Sequence, residues 1–278
     1  MSYDCFLPIA TFPDATPRQA ISLGMAIAAR IDARFCASVH EVDIAPVSNV
    51  LADMAINVTA MSERAEADSK TTAGVMAQWL KQQADELAKP ISIQRIRCRP
   101  EDLIDNWIVP SRTNDLTILA APGSDQQEAM VIDLVFANGG PALIVPDIEV
   151  PATDAVFGVC IAWDGGRAAA RAVRDAMPFL KAAKDVSIVV VDDDKAIEGK
   201  SAMALSHWLG HHGIASRLLT RSRGTVPVGE TLQAAALAAG ADMLVMGAYG
   251  HSRVRELVLG GATRSILEHT RLPILTTH

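Results

Sequence analysis

Gly247-Ala248-Tyr249-Gly250 and, after nine intervening residues, Gly260-Gly261-Ala262-Thr263 are the residues whose types and spacing could do chemistry. Glycines carry no Cβ, so backbone N–H groups can close on the oxygens of an anion. Upstream, Ala241 to Met246 is an apolar run, and downstream Val254, Leu257 and Val258 recur at helical spacing. A strand would thus end in a loop that opens a helix, whose dipole places positive charge at the same spot. The bland alternative is a tight strand-to-helix turn with no ligand. His251, Arg253 and Arg255 follow in the same loop, as anion contacts or as solvated loop residues.

Other candidates are weaker. Asp164, in Ala162-Trp163-Asp164-Gly165-Gly166, stands where an Asp would cap a helix beginning at Arg167. His207 and His211 stand four apart on an expected helix with His212 adjacent, but no carboxylate or cysteine follows close by to complete a metal site. Asp192, Asp193 and Asp194 could gather a divalent ion, and a solvated loop explains them equally. Cys5, Cys36, Cys98 and Cys160 form no Cys-x-x-Cys pair and read as free thiols. No Ser-His-Asp or paired-carboxylate constellation can be located, so no catalytic residue is assigned. Trp79, Trp107, Trp163 and Trp208 read as packing residues, with Trp163 beside Asp164 bordering any pocket.

The elements that must position these residues follow from bulk and pattern. With 278 residues, half of them apolar, the chain suggests two folded domains of about 140 residues each. A net charge of −7 argues against a nucleic-acid partner, which would demand a dense Lys/Arg face. Neither a signal peptide nor a membrane span is evident, which points to the cytoplasm.

Strands are expected at Cys5 to Ala10, Arg34 to Val42, Ile91 to Arg95, Leu116 to Ala120 and Ala142 to Val145. Helices are expected between them at Arg18 to Arg30, Asn57 to Lys89, Glu101 to Val109 and near Glu128 to Phe136. Pro146 to Asp154 has two prolines and three acids and serves as a linker, dividing residues 1–146 from 155–278. The alternation then restarts, with strands at Val156 to Ala162, Val186 to Val191, Ala215 to Thr220, Met243 to Met246 and Ile274 to Thr277. Its helices are Arg167 to Leu180, Lys195 to His211, Glu230 to Ala239 and Val254 to His269. Such alternation calls for an α/β fold of two similar open parallel five-stranded sheets with helices on both faces.

Duplication shows in residues as well. Asn114-Asp115-Leu116-Thr117-Ile118 to Gly123 lines up with Ala241-Asp242-Met243-Leu244-Val245 to Gly250, and Pro141-Ala142-Leu143 with Pro273-Ile274-Leu275. The first half lacks five residues between these two anchors, within its loop-and-helix segment.

On these residues the chain resembles a tandem universal stress protein over nearly its whole length. Nucleotide-binding members of that family carry Gly, two residues, Gly, nine residues, Gly, then Ser or Thr, and Gly247, Gly250 and Gly260 fit. The resemblance implies a Rossmann-like fold, similar to that of the adenine nucleotide alpha hydrolases. It also implies a stress-response or regulatory role and an adenine nucleotide (ATP, ADP or AMP, with room for Mg2+) across the carboxyl ends of the strands.

By that resemblance Asp164 with Ala162 would face the ribose, Val191 would wall the adenine, and Gly247 would lie near the ribose. Gly250, Gly260, Gly261 and Ala262 would offer backbone N–H groups to the phosphates, with Thr263 closing the motif and His251 beside Gly250 in the same loop. The departure is Gly261, where the family supplies a hydroxyl. In the first half Ala120 replaces Gly247 and the deletion removes the second phosphate element, so no phosphate site is expected there.

Alternatives remain. One is a nucleotide-independent dimerising scaffold, another a slow ATP hydrolase. An adenylating enzyme is disfavoured, because His-x-Gly-His and Ser-Gly-Gly-x-Asp-Ser are absent. The last strand, Ile274 to Thr277, is short and apolar, suited to pair the halves as an intramolecular pseudo-dimer. A homodimer is left open.

Overall fold

The computed structural model describes residues 2–45, 57–149, 157–191, 199–222, 224–248, 266–267 and 269–278. The first half runs β1 (Tyr3–Ile9), α1 (Arg18–Ala28), β2 (Ala33–Val42), α2 (Val58–Glu86), β3 (Ile91–Cys98), α3 (Leu103–Arg112), β4 (Leu116–Ala120), α4 (Asp125–Ala137) and β5 (Ala142–Val145). A single 3-10 turn, Pro100–Asp102, leads into α3. The second half runs β6 (Gly158–Ala162), α5 (Arg167–Asp175), α6 (Met177–Ala182), β7 (Asp185–Val191), α7 (Gly199–His211), β8 (Arg217–Arg221), α8 (Val228–Ala238), β9 (Met243–Gly247) and β10 (Ile274–Thr277).

Among the described residues the strands form one sheet of ten, in the order β3-β2-β1-β4-β5-β10-β9-β6-β7-β8. Sequence patterning leads to two similar open five-stranded sheets, with the last strand suited to pair the halves. The structure joins them edge to edge through β5 and β10, which are short and wholly buried and would otherwise leave open hydrogen-bonding edges. Their pairing is antiparallel, with Ile144 opposite Ile274 and Leu143 opposite Leu275, and all other pairs are parallel. The outer strands are blunted by charge: Arg95 and Arg97 on β3 pair with Glu41, Asp43 and Glu66, and Arg217 on β8 pairs with Asp185.

Alternation along each strand sorts the core into two layers. Cys5, Leu7, Ile9, Ile118, Leu143, Leu275, Val245 and Ile161 point to one face, into a cluster shared by both halves under α1, α2, α5, α6 and α7. On the opposite face the core is split. Phe6, Leu119 and Ile144 pack under α3 and α4, while Cys160, Ala162, Val189 and Leu244 pack under α8.

Two expected elements differ in detail. The helix expected over Arg167 to Leu180 is broken at Ala176, since Pro178 cannot supply an interior N–H and fits only the first turn of α6. The helix expected near Glu128 starts earlier, at Asp125, where Ser124 Oγ accepts the N–H of Gln127 at 3.4 Å.

Candidate functional site

In a parallel sheet all strands end on the same edge, and a crevice opens where neighbouring strands send their connections to opposite faces. In the second half that point lies between β6 and β9. Ala162 ends β6, Val191 ends β7 and Gly247 ends β9. Val245 lies opposite Ile161, which puts Trp163 level with Gly247, and Ala162 lies opposite Val189, which puts Asp164 level with Val191. Ala162, Asp164, Val191 and Gly247 are therefore brought to one edge.

The Asp164 carboxylate is held by its own loop. Its Oδ1 accepts the N–H of Gly166 at 2.8 Å, in a turn where Gly165 has φ +71 and a Cβ on Gly166 would meet the carboxylate at 2.9 Å. This corrects the capping expectation: Asp164 binds the N–H ahead of the helix, and the Gly166 N-cap of α5 carries no side-chain cap. The first turn of α5 holds no acid and begins with Arg167, so its N–H groups keep their positive potential toward this edge. Trp163 continues the ladder, N–H to the Val189 carbonyl at 2.9 Å, and its indole Nε1 donates to Ser201 Oγ at 3.1 Å, tying α7 to the loop.

Gly247 has a packing reason of its own. A Cβ there would stand 2.5 Å from the Ala168 carbonyl carbon and from the Ala169 nitrogen, so the first turn of α5 sits directly on the end of β9. Val191 is core as well as edge, 5% exposed beside Leu232 and Ala236 of α8. Gly250, His251, Gly260, Gly261, Ala262 and Thr263, with Arg253, Arg255 and Asp192 to Asp194, lie outside the described residues.

Among the described residues no three of His, Cys, Asp and Glu converge as a metal site. His207 and His211 are exposed, and His212 stacks edge-on against Trp208. The four cysteines are free, and burial raises the Cys5 and Cys160 thiols, which keeps them protonated and unreactive.

The first half builds a different edge. A longer loop, Ala10 to Pro17, stands in place of the short turn Trp163 to Gly166, and a cleft of ≈ 90 Å³ opens between this loop, Trp107, the end of β4 and α4. Gly123, the counterpart of Gly250, gives its N–H to Gln127 Oε1 at 2.8 Å, and the first turn of α4 carries Asp125 and Glu128. The donors a phosphate would need are thus engaged within the chain.

Sequence reasoning missed a buried polar cluster beside this cleft. The Thr11 hydroxyl donates to the His40 carbonyl at 2.6 Å, and its oxygen lies 2.7 Å from Ser69 Oγ, which accepts the N–H of Val42. Trp107 Nε1–H donates to His40 Nδ1 at 2.8 Å, and burial pushes the imidazole down to about 4, the Ser38 carbonyl opposing in part. The one available signal was a histidine inside the apolar strand Phe35 to Val42.

Comparison with known proteins agrees with this architecture. Residues 158–278 match the model described as the universal stress protein family. A universal stress protein of Synechocystis sp. is 54% identical over 35 residues, which are 13% of this chain and 12% of that protein, so the chain spans about an eighth of the length of this curated relative. A universal stress protein from Archaeoglobus fulgidus DSM 4304 superposes with a TM-score of 0.68 at 13% identity, over 98% of this chain and 97% of that one. A functionally unknown protein from Pseudomonas aeruginosa PAO1 gives 0.57 at 13% identity, over 98% and 92%. At such identity these structures speak to the fold alone.

Proposed function

We propose that the chain, whose residues 158–278 match the universal stress protein family model, is a stress-response regulatory protein that binds an adenine nucleotide in its second half. The reading has the nucleotide lie across the ends of β6, β7 and β9, with Asp164 and Ala162 toward the ribose, Val191 toward the base and Gly247 beneath. Gly250, His251, Gly260, Gly261, Ala262 and Thr263 hold the phosphates, with Mg2+ as a companion ion.

One observation carries it. The Asp164 carboxylate is pinned by Gly166 beside an uncapped helix N-terminus free of acids, which suits a hydroxyl donor next to an anion. No helix among the described residues is long and apolar enough to cross a membrane, in keeping with the cytoplasmic setting we assign. The role is binding, with the bound state changing contacts, and no catalytic residue is assigned.

Calorimetry with ATP, ADP and AMP tests this. Binding that is lost in Gly250→Val, with the fold intact by circular dichroism, is the expected outcome. No binding of any of the three at millimolar concentration sinks the proposal and favours a nucleotide-independent scaffold. That second reading has support of its own, because the packing of Ala168 on Gly247 explains this glycine without a ligand. Phosphate release on the same sample addresses slow hydrolysis.

A further inference from the structure

The cleft of the first half is built for a different ligand, and we infer that it binds a small, single-ring organic cation. The inference stands apart from the nucleotide reading of the second half. The cleft opens at the ends of β1 and β4, the point where the strand order β3-β2-β1-β4-β5 reverses and where open α/β sheets bind ligands. Its walls are apolar and aromatic, with Phe12 from the loop, Trp107 from α3, Leu119 from β4 and Met130 from α4. The volume of ≈ 90 Å³ is well below the several hundred of a drug-sized pocket, so it suits a molecule of about one ring.

Charge decides which ring. Asp14 is the sole ionisable residue in the lining, and the first turn of α4 adds Asp125 and Glu128 nearby. An anion is rejected twice over, by these carboxylates and by loss of its donors: Gly123 N–H is held by Gln127 Oε1, and Gln127 N–H by Ser124 Oγ. A cation gains from Asp14 and from the aromatic lining of Phe12 and Trp107. The Trp107 ring is already oriented, because its indole N–H is bound to buried His40 and the side chain is 5% exposed. Such a wall loses little freedom on binding.

Three probes that share a ring and differ in charge test this on the full chain: benzylamine, benzyl alcohol and benzoate. Binding is read from the Met130 methyl and Trp107 indole resonances by NMR. Benzylamine is expected to shift both saturably, about two- to five-fold more tightly than benzyl alcohol, as an exposed ion pair allows, and benzoate to shift neither. Asp14→Asn, a surface change, should erase the advantage of the amine, and Ala120→Leu should fill the cleft and abolish both. The inference is overturned if benzoate binds as well as the amine, if all three are silent, if Asp14→Asn leaves the preference intact, or if ATP displaces the amine from Trp107.

Discussion

Trp107 and His40, far apart in sequence, meet in a buried hydrogen bond of 2.8 Å in which the indole N–H donates to imidazole Nδ1. The acceptor role requires the neutral ring with its proton on Nε2, an atom that is itself buried. Donation by Trp107 therefore works only while His40 is uncharged.

The pH dependence of stability follows with a definite sign. Burial holds His40 down to about 4 in the folded state, against an ordinary value of 6.5. The unfolded chain binds the extra proton first, so the contribution is complete above pH 6.5 and is lost as pH falls through about 4. The full effect is up to about 3 kcal/mol. Urea unfolding between pH 8 and 4 should show this fall, and His40→Leu should flatten that window. Equal pH slopes in the two proteins would rule His40 out as the cause.

Gly247→Ala should destabilise the protein irrespective of ligand. The new methyl meets the backbone of Ala168 and Ala169, and backbone cannot rotate aside. Overpacking of this kind costs about 1–3 kcal/mol. Thermal unfolding without nucleotide measures it, and an unchanged melting temperature would show that α5 is not seated on β9.

Gly261→Ser should tighten ATP binding. The serine restores a hydroxyl that the family places on the phosphate, and a hydrogen bond to a charged group is worth about 1.5 kcal/mol or more, roughly ten-fold in affinity. Calorimetry of the variant beside the parent decides this. Equal affinities would remove the missing hydroxyl as the chain's weak point.

Leu275→Ala should destabilise both halves together. Leu275 is fully buried opposite Leu143, within the one cluster that runs under both halves. A cavity there costs about 2–5 kcal/mol. Mixed Trp replacements that leave Trp107 or Trp163 as reporter should give one shared, lowered denaturation midpoint. Two separate midpoints would mean that the halves unfold independently.

Much of the fold is legible in the sequence because its signals are local. Strand runs such as Leu116 to Ala120 and Val186 to Val191 are apolar because helices cover both faces, and the end of the long helix α2 follows from Pro90. The repeat of Asn114 to Gly123 at Ala241 to Gly250 likewise needs only the chain itself. Ala162, Asp164, Val191 and Gly247 are site candidates by the resemblance to the family, while the chain itself carries only that each closes a strand or opens a loop.

Tertiary structure decided the rest, where partners lie far apart along the chain. Neither β5 nor β10 carries a mark that makes their pairing antiparallel, because direction depends on how two finished half-sheets meet. The need for glycine at 247 comes from Ala168, and the neutrality of His40 from its burial beside Trp107. The cleft of the first half exists because the Ala10 to Pro17 loop, Trp107 of α3 and the side chains of α4 converge at the end of β4. Pattern along a chain encodes which face of an element is buried, whereas a site depends on what the opposite element leaves open, and that is set only when the layers pack.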